Sequence, residues 1–144
     1  MRTVATVLNA CGGVAHLHTL RAAGLGDDRI RRAAHRGEIR RLRQSVYATA
    51  DAHPEILRAA MLGGRVAGAT AAPFHHLWTP PDTPFTIEVS RSAKVAVPSD
   101  VRVMWRRESR TLSESLGVAP LTDTIRQLAI TQPAPFVVAV LDSA

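Results

Sequence analysis

The sequence is poor in the residues that most site chemistry requires. It holds one cysteine, Cys11, one lysine, Lys94, three Phe, two Trp and one Tyr. A lone cysteine excludes an internal disulfide. Cys11 lies one helical step past Val4, Val7 and Leu8, which suits an apolar filler and fits a reducing cytoplasm. A lone lysine excludes a nuclease centre of the PD-(D/E)XK kind, in which two carboxylates hold a metal and a lysine assists the attacking water, because Ser92 stands two residues before Lys94. With so few aromatics the core must come from Val, Leu, Ile and Ala. The longest uninterrupted apolar run, Phe136 to Leu141, falls far short of the roughly 20 residues that span a bilayer, and the N-terminus carries no apolar leader pattern. A soluble, cytoplasmic chain without a membrane partner is the expectation.

Other site signatures are missing too. There is no Gly-x-x-x-x-Gly-Lys phosphate loop and no Gly-x-Ser-x-Gly nucleophile turn. His16 and His18 would point to opposite sides of a helix, His75 and His76 are adjacent, and His35 and His53 are isolated, so none offers a two-point metal clamp. The expectation is a protein that is not an enzyme and needs neither metal nor cofactor.

What the sequence does have is charge in one place. Its 144 residues, 46% apolar, are enough for one ordinary domain or two small ones. The first 50 residues hold nine arginines against three acids, Asp27, Asp28 and Glu38, whereas the remaining 94 hold nine basic and nine acidic residues. The whole excess of +6 therefore sits in the N-terminal third, and seven arginines crowd between Arg29 and Arg43 with Glu38 as the sole intervening acid. A general preference for Arg would not unbalance one end of the chain, and such crowding is costly unless an anion answers it. Double-stranded DNA is the partner that fits, because each neutralised phosphate releases counterions. An acidic lipid surface would need a bulky apolar face behind the charges, which is lacking.

The local pattern gives this segment a shape. Val4, Val7, Leu8 and Cys11 have helical spacing, stopped by Gly12-Gly13; Val14-Ala15 is a short extended link; Leu17, Leu20 and Ala23 mark a second helix closed by Gly24. Asp27 is expected to cap a third helix from Asp28 to Arg36, ended by Gly37. On it Ile30, Ala33 and Ala34 face inward, Arg29, Arg32 and Arg36 share an outer face, and Arg31 and His35 lie on its flank. Nine residues at about 1.5 Å each make a rod of roughly 13 Å whose diameter suits the approximately 12 Å major groove of B-form DNA. Strand formers Ile39, Val46 and Tyr47 around a turn at Gln44-Ser45 suggest a basic hairpin carrying Arg40, Arg41 and Arg43, the wing of a winged helix-turn-helix. Tyr47 reads as the anchor that packs this wing on the helices. The candidate DNA-binding residues are thus Arg29, Arg31, Arg32, His35, Arg36, Arg40, Arg41, Arg43 and Gln44.

Gly12-Gly13-Val14-Ala15, Leu20-Arg21-Ala22-Ala23-Gly24-Leu25, Ile30-Arg31-Arg32-Ala33, Arg36-Gly37-Glu38-Ile39 and Arg43-Gln44-Ser45-Val46-Tyr47-Ala48, taken in order, resemble the N-terminal winged helix of the AbiEi family of type IV antitoxins. The same domain precedes very-short-patch-repair-like endonuclease domains in actinobacterial proteins, which the chain also resembles. Family members usually carry Gly where this chain has Ser45, and often a Ser or Thr cap where it has His16. The resemblance implies a DNA-binding transcriptional regulator that represses its own operon and neutralises a toxin, in that family a nucleotidyltransferase. The alternatives are the DNA-targeting remnant of an endonuclease whose catalytic domain is missing, and a module whose arginines dock an acidic protein without touching DNA.

The second half reads as a small mixed domain over residues 51–144, giving an α+β chain with a winged helix at 1–50. Pro54 should open a helix from Glu55 to Leu62, Arg65 to Gly68 a short strand, and Ala69 to Leu77 a helix. Phe85 to Val89 and Val101 to Trp105 alternate as strands, Thr122 is expected to cap a helix from Asp123 to Thr131, and Phe136 to Ala144 to begin a last one. That last pattern lacks a stop signal, which suggests a truncated product or a fragment. No heptad or self-pairing stripe indicates an oligomeric state.

Overall fold

The computed structural model describes residues 2–90, 96–106 and 116–144. The Ser92–Lys94 pair, on which the nuclease argument rests, lies outside them. The chain is α+β and divides into two compact units. The first runs up to Leu62 and includes Leu116 and Gly117; the second takes the described residues from Gly63 and from Val118 onward. The boundary lies at Leu62 rather than near residue 50 because the helix that Pro54 opens packs on the first unit.

In the first unit the order is α1 (Val4–Ala10), β1 (Val14–His16), α2 (Leu17–Ala22), α3 (Asp27–His35), β2 (Ile39–Arg43), β3 (Val46–Thr49) and α4 (Pro54–Met61). The short link expected at Val14-Ala15 is a strand. It pairs antiparallel with β3, which also pairs with β2, so the sheet order is β1-β3-β2. Val4, Val7, Leu8, Leu20, Leu25, Ile30 and Ala33 close a core between the helices and the sheet face bearing Ala15 and Ile39, with Cys11 and Tyr47 packed at its edge. Val14, Val46 and Ala48, on the opposite face by register, are also buried, and α4 packs against β1 and β2. Pro54 sits in the first turn of α4, where its missing N–H costs nothing, and His53 Nδ1 accepts from the Glu55 N–H as cap.

The second unit has a sheet of order β4-β5-β6, from β4 (Arg65–Val66), β5 (Phe85–Ser90) and β6 (Val101–Arg106); β5 and β6 run parallel. Helices α5 (Gly68–Ala71), α6 (Leu121–Thr131) and α7 (Ala134–Asp142) accompany it. The single helix expected over Ala69 to Leu77 is instead α5 followed by a 3-10 turn, Ala72–His75: Pro73 has no N–H to continue an α ladder. Pro120 and not Thr122 holds the cap position of α6, with no side-chain cap bond, and α7 begins two residues early because Pro135 fits its first turn. Arg65, 2% exposed, is bound by Glu88 at 2.7 Å and by Asp123 at 3.4 Å, and the buried Gln127 carboxamide accepts from the Gly68 N–H at 2.8 Å. This network fixes β4, β5 and α6 together. Burial, then the charge of Arg65, pushes the Arg106 guanidinium below its ordinary pKa.

Candidate nucleic-acid interface

Helix α3 is organised by its two ends. Gly26, and not Asp27, occupies the cap position, and Asp27 is the first helical residue. Asp27 and Asp28 face the positive end of the helix dipole while Arg32 and His35 lie in the last turn, the arrangement the dipole favours. Asp27 is committed elsewhere: Arg21 of α2 donates from Nε and Nη2 to both its oxygens, at 2.8 and 2.7 Å. This two-point bond links α2 to the first turn of α3. It holds the Asp27 carboxyl below the usual carboxylate range and raises the Arg21 guanidinium.

Ile30 and Ala33 bury one side of α3. Helical spacing puts Arg31, Arg32 and His35 opposite them, with Arg36 beside, and all four are exposed. Arg29 does not share the outer face expected for it. It is half-buried and donates to the Arg2 carbonyl at 2.7 Å, so its charge ties α3 to the N-terminal residues. Asp28 stands on the exposed face, where its carboxylate takes a bond from Arg31 at 3.2 Å and its carbonyl one from Arg32 at 3.2 Å.

The hairpin distributes its arginines by register. Arg40 pairs with Ala48 and Arg41 with Tyr47; a bulge at Leu42 then brings Arg43 opposite Val46. An unbroken strand would place Arg41 and Arg43 on one face. The bulge instead puts Arg43 with Arg40, while Arg41 shares the face of Tyr47, which looks toward α3. Gln44 and Ser45 form the exposed turn. Ser45 adopts φ 61, the left-handed conformation that favours glycine, and its carbonyl accepts from the Leu17 N–H at 2.8 Å. The tip of the hairpin is thereby held at the start of α2. His16, at that same start, provides no side-chain cap, and its ring stacks on that of His18 with centroids 5.3 Å apart, where opposite directions were expected.

Of the nine candidate residues, α3 thus groups Arg31, Arg32, His35 and Arg36, with Arg41 adjoining them across the hairpin. Arg40 and Arg43 form a second pair on the other face of β2, Gln44 is at the tip, and Arg29 is withdrawn. Among the described residues the acids bonded to this set are local, Asp28 to Arg31 and Glu38 to Arg36 at 3.7 Å. Sequence reasoning missed the roles of Arg2 and Arg21, and nothing in spacing alone would have paired Arg21 with a carboxylate across a turn. Among the described residues no group of three or more His, Cys, Asp or Glu could hold a metal, and no helix is long and apolar enough to cross a membrane. No protein-family model matches the chain, and a search of curated proteins finds no match.

Proposed function

We propose that the first unit is a winged helix-turn-helix that binds duplex DNA, and that the protein is a transcriptional regulator of the AbiEi antitoxin kind. The observation that carries this reading is the exposed row Arg31, Arg32 and Arg36 on a short helix, adjoined by Arg41 of the hairpin with Arg40 and Arg43 on that hairpin's other face, where among the described residues the carboxylates bonded to them are Asp28 and Glu38. The order helix, strand, helix, helix, strand, strand, with the first strand completing the sheet, supports it. In this reading α3 enters the major groove, where guanidiniums at Arg32 and Arg36 reach base edges, and the hairpin follows the phosphates. The second unit, with its buried ionic network, serves as scaffold or contact for a protein partner. A nucleotidyltransferase toxin is the partner that the family resemblance suggests.

Replacing Arg32 and Arg36 together by Ala should reduce discrimination between a selected duplex and an unrelated one. Replacing Arg40 and Arg43 should weaken both alike. Equal behaviour of the two variants in a competition titration would contradict the assignment of α3 to base reading.

A further inference from the structure

Between α3 and the β2–β3 hairpin lies a notch of about 340 Å³, within the size range of small-molecule sites. Its lining is mixed: Leu17, Ala34 and the buried Ile30 supply the aliphatic part and Asp27, Arg31 and Arg41 the charged part. Arg31 comes from the helix and Arg41 from the hairpin, and Tyr47 contributes its phenol. We propose that this notch is a binding site for a small aromatic carboxylate.

Charge sets the sign of the ligand. Two guanidiniums face one acid, Asp27, and both oxygens of Asp27 are already taken by Arg21. Neither guanidinium is spent. Arg31 gives one N–H to Asp28 at 3.2 Å, in a pair whose side chains are 79% and 83% exposed, and Arg41 gives its Nε–H to the Arg43 carbonyl at 3.3 Å. Their other donors, and the Tyr47 hydroxyl, have no acceptor among the described residues. Planar guanidinium forks match a carboxylate in geometry as well as charge. The apolar lining sets the remainder of the ligand: an inorganic anion would leave the half-buried Leu17 and Ala34 against water, whereas a flat ring covers them and packs on the Tyr47 ring. Because the notch joins the helix to the hairpin through Arg31 and Arg41, an occupant draws on side chains that the proposed DNA contact also uses, and that coupling rests on the proposed function; the binding itself does not.

Tyr47 is the single tyrosine of the chain, so its ring proton resonances report this site alone. The test is a titration of the full chain with sodium benzoate at constant ionic strength, read on those resonances. A ligand this small is expected to bind at about millimolar strength. The proposal expects saturable shifts with benzoate, binding at least about tenfold weaker for acetate, inorganic phosphate and benzyl alcohol, and a loss of about tenfold or more in the Arg31→Ala/Arg41→Ala variant, whose substituted side chains are exposed and whose dispersed Tyr47 signals would report an intact core. No saturation by roughly 20 mM benzoate overturns it. So does binding of acetate or phosphate as tight as benzoate, which would make the notch a plain anion contact, or unchanged affinity in the variant. No DNA is present, so failure here leaves the proposed function standing. Where both hold, benzoate and duplex weaken each other by the same factor.

Discussion

Asp28 is the carboxylate that stands on the exposed side of α3, so it works against any polyanion that meets Arg31 and Arg32. Asp28→Asn removes its charge and keeps its size. A phosphate about 8 Å away interacts with one unit charge by about 0.5 kcal/mol in water and about 2 kcal/mol at the effective dielectric of a protein surface. Screening over a Debye length of about 8–10 Å brings this to about 0.5–1 kcal/mol, a two- to fivefold gain in DNA affinity. The freed Arg31 should also steepen the salt dependence by up to about 0.9. The cost in folding is small: about 0.3–1 kcal/mol for the lost acid at the helix N-terminus, and about 0.2–1 kcal/mol, at the low end, for a pair as exposed as Asp28–Arg31. Fluorescence anisotropy with a labelled duplex at several salt concentrations reads the gain, and circular dichroism checks the fold. Unchanged or weaker binding by a folded variant would refute the placement of this helix face against the duplex.

Ser45→Gly should raise stability by up to about 1 kcal/mol, because it relieves the left-handed backbone at φ 61 at a partly offsetting entropic cost; a lower melting temperature would contradict this. Arg65→Ala should cost about 3–5 kcal/mol by leaving Glu88 buried without its partner, and adding Glu88→Leu to Arg65→Met should recover most of the loss in urea denaturation. Asp27 has a folded-state pKa below its unfolded one, so its contribution to stability is present above the ordinary carboxylate range and disappears as pH falls through the folded value. Asp27→Asn should therefore be less stable than the parent near neutral pH and equal to it in strong acid; a difference that persists in acid would assign the effect to something other than this ionisation.

The C-terminal ends of the first three helices are legible because their signal is local. Gly12, Gly24 and Gly37 take positive φ where the apolar spacing stops, and Ile30 and Ala33 are buried as their period requires. Pairings distant in sequence were not. Three residues, Val14–His16, carry too little alternation to announce a strand, and they become one only when β3 arrives from the other end of the unit. Period-two spacing gave β5 and β6 but is blind to their parallel direction. The cap positions were misread at Asp27 and Thr122 because both residue types suit a cap, whereas Gly26 and Pro120 hold those places and Asp27 is bound by Arg21 instead. Within the interface, composition located the arginines but not their directions. Arg29 turns to a backbone carbonyl, and the Leu42 bulge separates Arg41 from Arg43, both consequences of contacts that a linear pattern does not contain.

The central claim is that the exposed arginines of α3 and the hairpin meet the phosphates of a duplex. Its most direct measurement is the DNA affinity of the intact chain as a function of salt. With about five phosphates neutralised at roughly 0.9 each, the logarithm of the association constant should fall against the logarithm of salt with a slope of about −4.5, a loss of roughly 500-fold between 50 and 200 mM. A slope near zero, or no binding at low salt, would contradict it.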